Sequence, residues 1–210
     1  LVSGLALLLL PSAAFAQTGA PDYGRRGFYV GVNGIGSVEF FGSQIEDLVQ
    51  QAFPGSTVNV GDAAGLNARV GYRIFSWLAA EGMYEWVQDF ETFVSVPGSG
   101  SGTTSSVFHN LYFNLKLLLP VWRLHPYLVG GVGAQYGDVQ GTIPVLGPVS
   151  ETRWDFAGRP GAGVDFYLTE NLVLNAEVAG VLSVADFDAA GTTLTDIFYL
   201  TVGGGFQWRF

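Results

Sequence analysis

The chain has 210 residues, 30 of them Gly, with 14% aromatic residues and no Cys, and its 9 Lys plus Arg stand against 18 Asp plus Glu for a net charge of −9. That balance excludes a nucleic-acid partner, which needs a basic stripe, and the missing Cys excludes a disulfide framework and a thiolate metal site. No mature segment supplies the ~20 uninterrupted apolar residues of a spanning helix, so any membrane crossing is made by strands.

Leu5 to Leu10 form an apolar run that Pro11 breaks, and Ala14-Phe15-Ala16 is a small-x-small step of the kind a signal peptidase cuts. Residues 1–16 therefore read as a signal peptide. With neither an initiator Met nor a basic first region, the chain is expected to open at or just after the true start. Residues 17–26 read as a periplasmic tail and 27–210 as one β domain.

From Gly27 onward, eight segments alternate with period 2, the signature of half-buried strands: 27–38, 64–73, 77–88, 105–118, 127–136, 153–168, 171–183 and 196–210. In the fourth, Leu111, Phe113, Leu115 and Leu117 share one face, while Asn110, Tyr112, Asn114 and Lys116 share the other. The connections then decide between a soluble sandwich and a barrel. They run long, short, long, short: 39–63, 74–76, 89–104, 119–126, 137–152, 169–170 and 184–195. Brief turns on one side, longer loops on the other and an even strand count are the layout of an up-and-down transmembrane barrel.

Within the first long connection, Ser43-Gln44-Ile45-Glu46 is a capping box, and Ile45, Leu48, Val49, Ala52 and Phe53 recur at helical spacing before Pro54-Gly55. A short amphipathic helix is expected there, as a partner-binding element, as a lid on the barrel mouth or laid on the membrane interface. Gly98 to Gly102 read as flexible loop. The apolar stretch 141–149 reads as a loop folded over the rim or in contact with another molecule.

Charge placement supports the barrel. The polar faces carry Arg69, Arg73, Lys116, Arg159 and Arg209 against Glu81, Glu85, Asp155, Asp165 and Glu177, five against five, and the proposed lipid faces carry none. The long loops and their strand edges hold eleven acids against Arg153 alone. Divalent Ca²⁺ or Mg²⁺ is expected to associate weakly at Asp186 and Asp188 and to bridge this surface to lipopolysaccharide phosphates. Tyr84, Trp86, Trp154 and Phe156 fall toward the outer rim, and Trp208 with Phe210 toward the inner one, as aromatic girdles would.

Gly27-Phe28-Tyr29-Val30-Gly31-Val32-Asn33-Gly34, and Gly161 to Leu168 followed by Asn171-Leu172, resemble strands of small outer-membrane barrels of the opacity and OmpA-like type. Gly205, Trp208 and Phe210 are similar to that family's carboxy-terminal signal for the barrel assembly machinery, with Gly203 standing where the family has a polar residue. The resemblance implies an all-β, eight-stranded antiparallel up-and-down barrel in the bacterial outer membrane. It is weak for activity, because the family includes adhesins, membrane-tethering proteins and slow pores. No peptidoglycan-binding domain is expected after the last strand, nor anchoring of the cell wall.

An eight-stranded barrel is just wide enough for its own side chains to fill it. The ten inward charges are expected to form a hydrogen-bonded plug, while Gly31, Gly71, Ala79, Gly131, Gly161 and Gly163 leave room that keeps a gated ion path open as a reading. The chain contains two histidines. His109 lies on the lipid side near Ser105 and Ser106, where a lipid-modifying enzyme would need a His, a Ser and an acid, but without that family's His-x-Ser step. His125 reads as a solvated ring in a periplasmic turn. The function expected is that of a monomeric, non-catalytic barrel with no cofactor, embedded in outer-membrane lipid and lipopolysaccharide, whose acidic loops meet an extracellular ligand. A small gated pore or hydrophobic conduit is the alternative, and a lipid A-modifying barrel enzyme stands third.

Overall fold

The computed structural model describes residues 22–39, 46, 50–51, 54–98, 100–143, 147–189 and 192–210. The signal-peptide reading over 1–16 lies outside the described residues. So does most of the expected loop helix, of which Glu46, Gln50 and Gln51 are described and helical, with the Gln50 amide donating to Glu46 at 3.0 Å.

Among the described residues nine strands form one antiparallel sheet: β1 Gly27–Glu39, β2 Thr57–Val60, β3 Ala63–Phe75, β4 Leu78–Val96, β5 Gly100–Leu118, β6 Leu124–Ile143, β7 Gly147–Tyr167, β8 Leu172–Ala189 and β9 Thr192–Arg209. Eight of them close into a barrel, with β1 paired to both β3 and β9 and β4 paired to β5. Closure removes the sheet edges, so no backbone ladder is left open to lipid. The exception is local: Pro160 has no N–H, and the β7–β8 ladder skips from the pair Gly158 and Leu182 to Gly161 and Ala179.

The outer surface carries the apolar phase of each strand, from Phe28, Val30 and Val32 on β1 to Val202, Phe206 and Trp208 on β9. From Trp77 to Trp86 the wall rises about 30 Å at ~3.3 Å per residue. At a tilt of ~40° that is roughly 23 Å along the axis, close to the ~25 Å apolar band of an outer-membrane barrel. An aromatic row closes the band above: Trp86, His109, Tyr136 and Trp154 are successive cross-strand partners, and the Tyr136 and Trp154 rings lie 5.0 Å apart. The expected outer girdle thus gains His109 and Tyr136.

The long outer loops are corrected. β4 to β9 run well past the girdle as paired hairpins, so residues expected as loops 89–104, 137–152 and 184–195 are largely strand. Gly100 to Gly102 belong to β5, and Gly98 sits in the preceding turn with φ +80°. Residues 141–143 pair with 147–149, while 144–146 are outside the described residues. β3 begins only at Ala63, and β2, which falls inside the expected first loop, takes its place beside the extended β4 at Thr92 to Ser95.

At the other end the turns are short, as expected. The Thr169 hydroxyl accepts from the Leu172 N–H at 2.9 Å, and Trp122 adopts the left-handed region at φ +49° in the turn before β6.

Candidate functional site

Three layers fill the barrel. At the middle sits an ion cluster with Glu177 as its hub: Arg69 donates to it from two nitrogens at 3.1 and 3.2 Å, Arg159 at 2.8 Å and the Tyr127 hydroxyl at 2.7 Å. Glu81 lies 3.7 Å from Arg69 and accepts from Tyr29 at 2.9 Å and Asn114 at 3.1 Å. Lys116 lies 3.5 Å from Asp165 and caps the Tyr127 ring at 3.7 Å, while Arg159 also approaches Glu85 at 3.7 Å. Three cations thus face four carboxylates, and every one of the seven is buried. A buried charge is tolerated only with such partners.

Above this cluster, toward the outside, an apolar and aromatic layer crosses the lumen. It comprises Val87, Phe90, Phe108, Val181 and Tyr199, all within one buried cluster. The Phe90 ring sits 5.8 Å from both Phe108 and Tyr199.

Below, the periplasmic mouth is closed by the tail. Tyr23 is buried there against Tyr167 and Val173. Arg73 and Arg209 both donate to the Tyr23 carbonyl, at 3.1 and 2.8 Å, and to the Tyr167 hydroxyl, at 2.7 and 2.8 Å. Further donation runs from Arg73 to the Ser76 carbonyl and from Arg209 to the Arg25 carbonyl.

The ten expected lumen ions therefore separate into groups. Arg69, Glu81, Glu85, Lys116, Arg159, Asp165 and Glu177 form the plug. Arg73 and Arg209 face the lumen as expected but meet carbonyls in place of carboxylates, because they lie at the mouth where the tail folds in. Asp155 also faces inward, yet it sits too far out along β7 and pairs with Arg153 at 2.8 Å; Arg153, expected at the outer edge of the sixth segment, lies well inside β7. His125 is corrected as well. It is buried at the start of β6, its Nδ1 within 3.2 Å of Arg73 and its Nε2 3.0 Å from the Trp122 carbonyl.

The inward glycines do not leave room. A Cβ at Gly71 would fall 2.3 Å from the Tyr29 ring, and one at Gly163 would fall 2.4 Å from the Tyr127 hydroxyl. These glycines are the beds on which the two tyrosines lie flat. Of the carboxy-terminal signal residues, Gly205 faces inward against Asn33, while Trp208 and Phe210 face lipid.

His109 meets a tyrosine: Tyr84 and His109 share a hydrogen bond of 2.7 Å through the phenol oxygen and Nδ1. Among the described residues no group of His, Asp and Glu is arranged to hold a metal ion. The side chains of Asp186 and Asp188, where cation association was expected, lie outside the described ones.

A closed eight-stranded barrel with an apolar belt, an outer aromatic row and a polar, filled interior defines a small integral outer-membrane barrel. The chain belongs to the family of the outer membrane protein beta-barrel domain, whose model matches residues 3–210. The protein is thus located in the bacterial outer membrane. Neisserial surface protein A is similar in fold, at 16% identity and a TM-score of 0.55, over 88% of this chain and 97% of that one. Ail, the attachment invasion locus protein of Yersinia pestis, matches at 17% identity and a TM-score of 0.49, over 88% and 97%. Outer membrane protein W of E. coli matches at 16% and 0.49, also over 88% and 97%. No curated protein matches the chain in sequence.

Proposed function

We infer that this barrel is a monomeric, non-catalytic presenter: a membrane-embedded core that holds polar hairpins above the outer leaflet, where they meet lipopolysaccharide and an extracellular ligand. The observation that carries the reading is the apolar layer of Val87, Phe90, Phe108, Val181 and Tyr199 across the lumen, since hydrated ions and small solutes do not cross a packed layer without opening it. The hairpins support it from the other side. β4 continues past Trp86 for ten residues to Val96, about 33 Å of strand that no crossing of the hydrocarbon requires.

No cofactor enters this reading, and the barrel assembly machinery is its partner during insertion, through Gly205, Trp208 and Phe210. The Tyr84 phenol at His109 Nδ1 supports the non-catalytic part, since it occupies the ring nitrogen that a triad's acid would take. Liposomes reconstituted with the protein are expected not to swell in isosmotic arabinose. Swelling at the rate a general porin gives would overturn the presenter and favour the conduit.

A further inference from the structure

A recess of about 500 Å³ opens on the outer surface of the wall where β3 stops and β4 runs on, lined chiefly by Asp62, Ala64, Leu66, Trp86 and Gln88. It is shallow and open, a depression on which a single sugar ring can lie. The register explains it. Ala64 pairs with Gln88 and Leu66 with Trp86, so a small side chain lies diagonally across from the indole, while β1 places Gly36 beside Ala64 and Gly34 beside Leu66. A Cβ at Gly34 or Gly36 would have nothing within 4 Å, which leaves the flank of the recess open.

The polar groups at this spot are unspent. Asp62 and Gln88 are exposed and Trp86 is half-buried, and none of their side chains hydrogen-bonds or ion-pairs with a described residue. Trp86 belongs to the aromatic row that marks the outer interface, and Asp62 and Gln88 stand just above it. That is the height of the saccharide headgroups of the outer leaflet.

An indole face beside a carboxylate and a primary amide is the chemistry that recognises a pyranose ring. The sugar's C–H face lies on the aromatic surface and its hydroxyls donate to the carboxylate and accept from the amide. The charge selects further. Among the described residues no cation lines the recess, Asp62 is its charged group, and Glu91 lies three residues beyond Gln88 on the same strand. A phosphorylated sugar would be repelled, whereas an amino sugar would gain an ion pair.

We propose that this recess is a binding site for a neutral or amino hexopyranose, with Trp86 as the stacking platform and Asp62 and Gln88 as the hydroxyl and amine partners. The sugar comes from one of two sources: the lipopolysaccharide of the same leaflet, or a free extracellular glycan. The site deepens the presenter reading and rests on it; solute flux bears on that reading, and sugar binding bears on this one.

The test uses the full chain, ¹⁵N-labelled at its Trp indoles, in phosphatidylcholine nanodiscs. Methyl glucoside and glucosamine are expected to move the Trp86 Nε1–H signal saturably, with millimolar Kd, leaving Trp154 unmoved; glucose 6-phosphate is expected to leave both in place. Asp62→Asn should weaken glucosamine by about tenfold, as loss of one charge-assisted hydrogen bond does. Ala64→Phe, which fills the recess, should abolish the shift while the protein keeps its heat-modifiable gel migration. In nanodiscs containing lipopolysaccharide, a Trp86 signal already displaced and insensitive to added sugar identifies the lipid source. A signal that still titrates identifies the free glycan. No saturable shift with either sugar, an equal shift in Ala64→Phe, or a shift produced by dodecanol alone would overturn the proposal.

Discussion

Glu177→Gln is the substitution with the clearest consequence for the lumen. Glu177 receives four hydrogen bonds, three of them from the guanidinium groups of Arg69 and Arg159 at 2.8 to 3.2 Å, and its side chain is 3% exposed. Gln keeps the shape but removes the charge and turns one acceptor into a donor facing cations. Arg69 retains Glu81 and Arg159 retains Glu85, each only at 3.7 Å. Breaking a buried ion pair from one side costs about 3–5 kcal/mol; with these longer pairs partly compensating, we expect about 3 kcal/mol. Glu85→Gln removes a single 3.7 Å contact and should cost about 1 kcal/mol. Both would be read from reversible urea unfolding in lipid vesicles, followed by Trp fluorescence and gel migration. A cost for Glu177→Gln under ~1 kcal/mol, or no greater than that of Glu85→Gln, would mean that Glu177 is not the hub of the plug.

Other substitutions probe the mouth, the glycine beds and the wall. Arg73→Met should free the tail, making the bond after Arg25 or Arg26 cleavable by trypsin in folded barrels while wild type resists; equal cleavage would remove the clamp from the account. Gly71→Val should sharply reduce refolding yield because its side chain enters the Tyr29 ring, and adding Tyr29→Ala should restore part of it. On the lipid face, Leu115→Arg near mid-membrane should cost about 2–4 kcal/mol, and Trp154→Arg at the outer row about 1 kcal/mol or less. Reversal of that order in urea unfolding would mean that the bilayer sits elsewhere on the wall.

Much of the barrel was legible because a lipid-facing strand has a strict period. Leu111, Phe113, Leu115 and Leu117 fix both the strand and its outer side, and the same phase carried Arg69, Glu81 and Glu177 correctly into one interior. Phase, however, gives a direction and not a height. Asp155 points inward as read, but its axial position matches Arg153 and not the central cluster. The hairpins beyond the membrane were hidden for a related reason: without lipid on one side, Gly-Ser-Gly-Thr-Thr-Ser-Ser over 100–106 has no apolar alternation and reads as loop, yet it pairs with β4 residue by residue. The burial of Tyr23 and His125 depends on the tail folding under Arg73 and Arg209, a contact between residues about 50 and 186 positions apart that no local pattern encodes. The inward glycines were misread as space because their occupants, Tyr29 and Tyr127, come from other strands. The recess beside Trp86 left no signal, since it arises where β3 stops and β4 does not.

Single-channel recording in planar bilayers, comparing wild type with the double variant Phe90→Ala and Phe108→Ala, addresses the packed lumen most directly. The account predicts a silent wild type, and unitary steps only once the aromatic layer is truncated, with gel migration reporting both proteins folded. Reproducible steps from the wild type that change on Glu81→Gln would contradict it and make the ion cluster a conduction path.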